Sequence, residues 1–180
     1  MIWRGPMVTQ ALEQLLTDTK WKDIDFLIID LPPGTGDVQL TLCQKIPVSG
    51  AVIVTTPQDI SLIDARKGLK MFEKVEVPVL GVIENMSSFI CPECGNMESI
   101  FGEGGGEQLA QENGVKLLGE LPLQKQIREE MDKGTPTVSS NPMDPASLAY
   151  REIARKMAAT LSMRKKDYSS AFPKIVIQND

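Results

Sequence analysis

The chain has 180 residues, of which 42% are hydrophobic and 24% charged, so it is long enough to bury one domain core. A net charge of −5 gives no sign of a nucleic-acid partner, and no apolar run reaches the ~18 residues that a membrane span requires. The complete lack of histidine excludes Ser-His-Asp and Cys-His catalysis and every metal site that needs an imidazole. Three cysteines are too few for a disulfide framework, and the first residues do not resemble a secretion signal, so we expect a cytoplasmic protein.

Short apolar runs alternate with helical patterns along the chain. Strands are predicted at residues 24–31, 50–56, 77–83 and, more weakly, 115–121, and helices at residues 9–19, 59–73, 107–113 and 145–163. The run at 24–31 is almost continuously apolar, which is typical of a strand buried on both faces. The alternation therefore predicts an α/β fold, with a mostly parallel sheet flanked by helices on both faces. No Gly/Ser linker interrupts it, so we expect one domain over residues 1–163 and a polar tail over 164–180.

The first predicted strand ends in a loop with residues suited to bind a magnesium ion and a phosphate group. Asp30 closes the strand, and ligands of open α/β sheets bind outside the carboxyl ends of the strands. Its carboxylate is suited to orient Mg²⁺, directly or through water. Gly34 and Gly36 allow backbone amides to approach a phosphate, and Asp37 is suited to cap the following helix. The plain alternative for an aspartate after a strand is a turn followed by a helix cap.

Cys91 and Cys94 form the sharpest chemical feature, because thiolates three residues apart on a tight turn can bind one metal centre. Pro92 favours the first corner of that turn, and Gly95 permits a left-handed exit from it. A tetrahedral zinc site or a cubane cluster needs about four ligands, and the sequence has no histidine and no second Cys-x-x-Cys to complete the set. Cys43 is predicted to be a buried apolar cysteine. The other two thiolates therefore have to come from a second subunit, on a two-fold axis.

Two other chemistries stay open for the cysteine pair, a bridging zinc ion and a redox dithiol. The redox role fits less well, because the pair follows a loop and does not open a helix whose dipole would lower a thiol pKa. A glycine-rich run at residues 102–107 lies downstream and contains no lysine. We interpret this run as a flexible lead into a helix, with a lid or a dimer contact as the alternative.

Several longer motifs reveal a family resemblance. They lie at residues 3–7 (WRGPM), 29–37 (IDLPPGTGD), 55–59 (TTPQD) and 84–87 (ENMS), and the cysteine pair accompanies them. From Met1 to about Val138 the sequence resembles the Mrp family of iron–sulfur cluster carriers. These proteins are relatives of the MinD/ParA-like deviant P-loop ATPases, so the resemblance implies a P-loop NTPase-like sheet.

For the nucleotide, the resemblance implies a set of residues around ATP. Asp30 would be the Walker B-type aspartate, and Asp37 would lie in the switch that senses the γ-phosphate. Asn85 would hydrogen-bond the adenine, with Leu121 and Pro122 packed beside it; without the resemblance, an asparagine at a strand end indicates a turn residue.

The phosphate-binding loop of the family is missing from this sequence. That loop is Gly-rich and contains a lysine, and no Gly-Lys dipeptide occurs anywhere in the chain. In the family the loop lies upstream, together with the first strand, so we expect this chain alone to bind ATP weakly. We also expect a gap in the sheet, which leaves the chain poorly stable or is closed by another pairing.

For the cysteine pair, the resemblance implies a labile [4Fe–4S] cluster that bridges two protomers of a homodimer. The expected function is a carrier that transfers this cluster to apo iron–sulfur proteins, with ATP and Mg²⁺ gating the transfer in the intact protein. No nucleic acid or membrane is expected to take part. The alternatives are a MinD/ParA-like positioning ATPase, which needs no paired thiolates, and an inactive fragment of the carrier.

Overall fold

The computed structural model describes residues 5–31, 34, 36, 39, 40, 43, 46 and 48–164. Asp37 and all but the first residue of the predicted tail lie outside this part of the chain. Its helices are α1 (Gly5–Asp18), α2 (Asp59–Lys74), α3 (Gly105–Glu112), α4 (Lys125–Asp132), α5 (Thr137–Ser140) and α6 (Pro145–Ser162). Its strands are β1 (Ala51–Thr55), β2 (Val79–Ile90), β3 (Met97–Glu98) and β4 (Leu117–Leu123).

The strand β2 lies at the centre of the sheet. β1 and β4 pair with it in parallel on opposite edges, and the short β3 pairs with its carboxyl end in antiparallel orientation. Phe89 of β2 has partners in both β3 and β4, so β3 lies on the same edge of β2 as β1. The mostly parallel sheet predicted from the sequence is confirmed.

Helices cover both faces of this sheet. Val82 faces a core shared with α2 and α3, in which Leu69 and Leu109 are almost fully buried. The next residue, Ile83, faces the other way and packs in a second core with Leu118 and with Ile153 of α6. Successive strand residues point to opposite faces, so this alternation confirms the predicted layers.

The apolar run at residues 24–31 forms no strand, so the prediction made for it is wrong. Most of its side chains are exposed instead of buried on both faces, with Ile28 at 70% and Phe26 at 55% exposure, and only Ile29 and Leu31 are half-buried. Among the described residues β1 pairs only with β2, and no second strand lies on its outer edge. An apolar run becomes a buried strand only where neighbouring strands satisfy its backbone groups, and the described structure offers this run no such neighbour.

Other elements differ from the predictions in length or number. β2 continues past residue 83 to Ile90, because β3 and β4 hydrogen-bond its more polar second half. α4 and α5 have no counterpart in the predictions; α4 has only two apolar residues, Ile127 and Met131, and none of its residues is fully buried, so its amphipathic signal is short. Ion pairs four residues apart, Lys125–Glu129 and Arg128–Asp132, support α4 instead. No helix in the described part of the chain has the length and apolar character needed to cross a membrane.

Two residues of the glycine-rich run are packed closely at the start of a helix. This corrects the interpretation of the run as a flexible segment ahead of that helix. Gly105 and Gly106 are buried in the first turn of α3. A Cβ on Gly105 would lie 2.9 Å from the carbonyl oxygen of Pro57, and a Cβ on Gly106 would lie 2.9 Å from the Cβ of Glu84. Real Cβ atoms do not come this close, so glycine allows α3 to approach the segment after β1 and the middle of β2.

We predict that Gly105→Ala lowers the free energy of unfolding by about 1–3 kcal/mol, because the added methyl group meets the Pro57 backbone. This loss exceeds the gain of under about 1 kcal/mol that alanine brings to an ordinary helix position. Urea unfolding followed by circular dichroism measures the change. Gln111→Ala, on the exposed face of the same helix, is the control and should stay within about 0.5 kcal/mol. Equal stability of Gly105→Ala and the unsubstituted chain would show that the close approach is no constraint.

Candidate functional site

Two of the predicted site residues meet where β2 and β4 run side by side. Asn85 of β2 and Leu121 of β4 are register partners, and Pro122 is the next residue of β4. The sequence suggested that Asn85 ends a strand, but in the structure it lies inside β2. Its side-chain oxygen accepts a hydrogen bond from the Met86 N–H at 2.9 Å, and Met86 has a φ of 56°. Asn85 therefore supports a turn-like backbone kink and also lies beside the residue predicted to share the adenine site with it.

The strand β2 bulges directly after Asn85. Between the pairs Asn85–Leu121 and Phe89–Leu123, β2 advances by four residues and β4 by two. The Ser87 hydroxyl donates a hydrogen bond to the Leu121 carbonyl at 3.2 Å and so ties the bulge to β4. Bulges bend and twist a strand, which changes the direction of the residues that follow. The residues that follow here are those of the cysteine loop.

The cysteine loop, residues 91–96, is the tip of a hairpin formed by β2 and β3. Ile90 pairs with Met97 at its base, and the Cys91 N–H donates to the Asn96 carbonyl at 2.9 Å. The Gly95 N–H donates to the Cys91 carbonyl at 2.9 Å, and Gly95 has a φ of 71°. The tight turn with its left-handed exit at Gly95 is thereby confirmed, and it holds both cysteines on one closed loop.

The two thiols of the loop differ in their surroundings. Cys91 is half-buried, whereas Cys94 is exposed. The backbone N–H groups of Cys94 and then of Glu93 hydrogen-bond to the Cys91 sulfur, and the Cys94 thiol adds a third bond; together they lower the pKa of Cys91. Because the thiolate is the form that binds metals, the loop favours metal binding by Cys91. Cys43 lies in the core, where burial raises its pKa, and this confirms the prediction of a buried apolar cysteine.

Within the part of the chain that the structure describes, the cysteine pair has no third ligand at hand. No group of three or more histidine, cysteine, aspartate or glutamate side chains is arranged there to hold a metal ion. Cys91 and Cys94 supply two thiolates, and a tetrahedral zinc ion or a cubane cluster needs about four ligands. The loop alone would therefore supply two of the four ligands that such a site requires.

The residues predicted to serve the phosphates lie outside the strands. Asp30 is exposed at the end of the unpaired segment 24–31. Gly34 and Gly36 are exposed too, and Gly34 has a φ of 96°, which glycine adopts without strain. Asp37 lies outside the described residues. The roles assigned to these four residues stay predictions.

Glu84 is a buried carboxyl beside this site that the sequence analysis did not single out. Its side chain is 1% exposed and accepts a hydrogen bond from the Gly106 N–H at the start of α3. Burial raises the pKa of Glu84, the bond from Gly106 opposes this, and the charges of Glu120 and Glu107 raise the pKa further. The signal in the sequence was a charged residue directly after the apolar run at 79–83. Glu84 is the residue before Asn85 in β2, and its bond to Gly106 links this strand to the first turn of α3.

A protein-family profile fits almost the whole described chain. The profile of the family described as "ParA: NUBPL iron-transfer P-loop NTPase" matches residues 1–158. The chain belongs to this family. The resemblance to carriers of iron–sulfur clusters that the motifs indicated is confirmed.

Two similar relatives are named as a carrier and as a transfer protein of iron–sulfur clusters. The iron–sulfur cluster carrier protein of Escherichia coli (strain K12) is 60% identical over 161 residues, which are 89% of this chain and 44% of that protein. The iron–sulfur cluster transfer protein NUBPL of Dictyostelium discoideum is 48% identical over 167 residues, which are 93% of this chain and 52% of that protein. The chain spans about half the length of the curated relatives it matches.

Solved structures share the fold of this family member. The nucleotide-binding protein of Archaeoglobus fulgidus in complex with ADP has a TM-score of 0.67 and 34% identity, over 80% of this chain and 58% of that chain. The cell division ATPase MinD of Pyrococcus furiosus has a TM-score of 0.62 and 21% identity, over 87% of this chain and 59% of that chain, a likeness of fold alone. The predicted α/β, P-loop NTPase-like fold is confirmed.

We predict that Glu84→Gln stabilises the chain, and more so as the pH rises from about 5 to about 8. Burial raises the pKa of Glu84 in the folded state, so the folded chain holds this proton more tightly than the unfolded chain. The stability that the proton contributes is therefore present at low pH and lost as the pH rises through the raised pKa. Glutamine keeps an oxygen that can accept the Gly106 N–H and has no charge to desolvate.

Guanidinium unfolding at both ends of this pH range tests the prediction. Glu103→Gln, which removes an exposed carboxylate just ahead of α3, is the matched control and should give a much smaller change with pH. The raised pKa of Glu84 would be contradicted if Glu84→Gln and the unsubstituted chain differed in stability by the same amount at both pH values.

Proposed function

We propose that this chain is the cluster-binding part of an iron–sulfur cluster carrier, which holds a [4Fe–4S] cluster and transfers it to apo-proteins. The observation that carries the proposal is the cysteine loop, in which two thiols lie on an exposed hairpin tip and backbone N–H groups favour the thiolate of Cys91. The names of the relatives, "carrier" and "transfer" protein, support the same function.

A homodimer is part of the proposal because of the number of ligands. Cys91 and Cys94 give two thiolates per chain, and two chains related by a two-fold axis give the four that a cubane cluster requires. Such a cluster would lie at the surface of both protomers, with only two bonds to each. Ligand number and solvent access both set how firmly a cluster is held, so this arrangement favours transfer over permanent binding.

The recipients in this proposal are apo iron–sulfur proteins, and the cytoplasm is the proposed location. Neither nucleic acid nor a membrane has a part in it. The cluster is cargo, so the loop has to bind it and then release it to a recipient that supplies more or better-placed ligands.

ATP binding and hydrolysis would regulate the intact carrier. The neighbour that was solved with ADP at 34% identity supports nucleotide binding by this fold. In this proposal Asp30 orients Mg²⁺, the switch residue Asp37 senses the γ-phosphate, and backbone amides around Gly34 and Gly36 approach the phosphates. The adenine would lie beside the β2–β4 pair, against Asn85, Leu121 and Pro122.

The competing functions make less use of the site. A positioning ATPase like MinD has no need of paired thiolates on a hairpin tip, and the likeness to MinD is one of fold alone. A redox dithiol would use the lowered pKa of Cys91 but gains nothing from a second protomer. A bridging zinc ion would use the same four thiolates, so it is separated from the cluster by experiment.

We predict that anaerobic reconstitution with iron and sulfide gives a brown protein with one [4Fe–4S] cluster per two chains. Cys91→Ala and Cys94→Ala should each lose nearly all of the visible absorption, because one thiolate per chain cannot complete the ligand set. Cys43→Ser is the matched control and should keep the absorption, since Cys43 is buried in the core. A colourless protein that binds zinc alone would contradict the proposal.

We also predict that ATP binds this chain at least about 100-fold more weakly than a chimera with the Gly-rich, lysine-containing loop of a relative joined ahead of Met1. Backbone amides and the lysine supply most of the attraction for a triphosphate, and an aspartate and an asparagine do not replace them. Isothermal titration calorimetry with Mg²⁺-ATP measures both affinities. Equal affinities would show that triphosphate binding here does not depend on that loop.

A further inference from the structure

Two exposed apolar side chains lie side by side at the base of the cysteine loop. Ile90 and Met97 are register partners across the β2–β3 hairpin, and we call them the apolar pair. Met97 is 68% exposed and Ile90 is 37% exposed. Ile90 directly precedes Cys91, so the apolar pair adjoins the cysteine loop. Exposed apolar side chains that are adjacent to each other and to a binding site mark an interaction surface more often than scattered ones do.

A second copy of the chain has to approach this pair if the four-thiolate site exists. Metal–sulfur bonds are only about 2.3 Å long, so two cysteine loops that share one metal group lie within a few ångströms of each other. The residues at the base of each loop then lie next to the two-fold axis. In a two-fold interface the same patch is present on both partners and contacts itself or its neighbours.

We propose that the apolar pair is the contact through which two copies of this chain hold the cluster between them. The inference rests on the proposed function and adds the residues that build the dimer. Ile90 and Met97 of each copy would be covered by those of the other, so four apolar side chains leave water together.

The charge around the loop opposes this contact. Glu93 lies in the cysteine loop and Glu98 follows Met97, and both are exposed. No lysine or arginine occurs in the sequence between Lys74 and Lys116, so this hairpin has no cation of its own to offset them. Two copies would bring like charges close to the axis, and these charges repel within a Debye length of about 8 Å. The apolar contact and the shared cluster therefore have to outweigh a repulsion, and we infer a weak dimer that salt strengthens.

Sedimentation velocity on the cluster-loaded 180-residue chain tests the inference, at about 50 mM and about 500 mM NaCl. The double variant Ile90→Ser/Met97→Ser should raise the dimer dissociation constant about ten-fold or more, since each substitution counts twice in the dimer. The dissociation constant of the unsubstituted chain should fall at the higher salt concentration. Met97→Ser alone changes a side chain that is already exposed, so it gives the same direction without a risk to folding.

The chain offers a control with the same residue types. Ile60 and Met143 are 71% and 76% exposed and belong to other elements, so Ile60→Ser/Met143→Ser should leave dimerisation unchanged. Equal dimer affinity of the two double variants would overturn the inference while the proposed function stands. The inference would also be overturned if Ile90→Ser/Met97→Ser dimerised normally and only transferred its cluster more slowly to a synthetic peptide with several cysteines. The apolar pair would then contact the recipient and not the second copy. A chain that takes up no cluster would overturn both the inference and the proposed function.

Discussion

Hydrogen bonding on both edges of β2 is the constraint on which the rest of this structure depends. β1 and β4 pair with its first part, and β3 and β4 pair with its last part, so the strand is hydrogen-bonded on both sides of its bulge and as far as the cysteine loop. Cys91 directly follows this strand and lies six residues after Asn85, a separation of at most about 20 Å. A change at the proposed nucleotide edge would therefore have a direct covalent and hydrogen-bonded route to the cysteine loop, through the bulge that Ser87 ties to β4.

The loop combines two opposing properties. Backbone N–H groups lower the pKa of Cys91 and so favour the thiolate that a soft metal group needs. Two thiolates per chain, one of them exposed, are nevertheless too few to keep a cluster once a better ligand set is near. A carrier needs both properties, because it has to capture its cargo from solution and then give it up.

The sequence predicted those features of the fold and the site that depend on local patterns, and it missed those that depend on contacts between elements. Strong local signals were right: the strand at Ala51–Thr55, the helix at Asp59–Lys74 and the turn through Gly95 were all predicted. The run at 24–31 was misjudged because apolar character reports a preference for burial, and a strand also needs neighbours to pair with. Contacts between elements were missed for a similar reason. Nothing local indicates that Gly105 packs on Pro57, and the place of Glu84 directly after an apolar run does not show what covers its side chain.

The central claim is that one cluster is held by two chains through Cys91 and Cys94, and native mass spectrometry of the anaerobically loaded protein tests it most directly. The account predicts that the species with bound iron and sulfide has the mass of two chains plus one [4Fe–4S] unit, and that removing the cluster returns single chains. A [4Fe–4S] cluster found on a single chain would contradict the account, as would a cluster-loaded dimer that forms equally well without both cysteines.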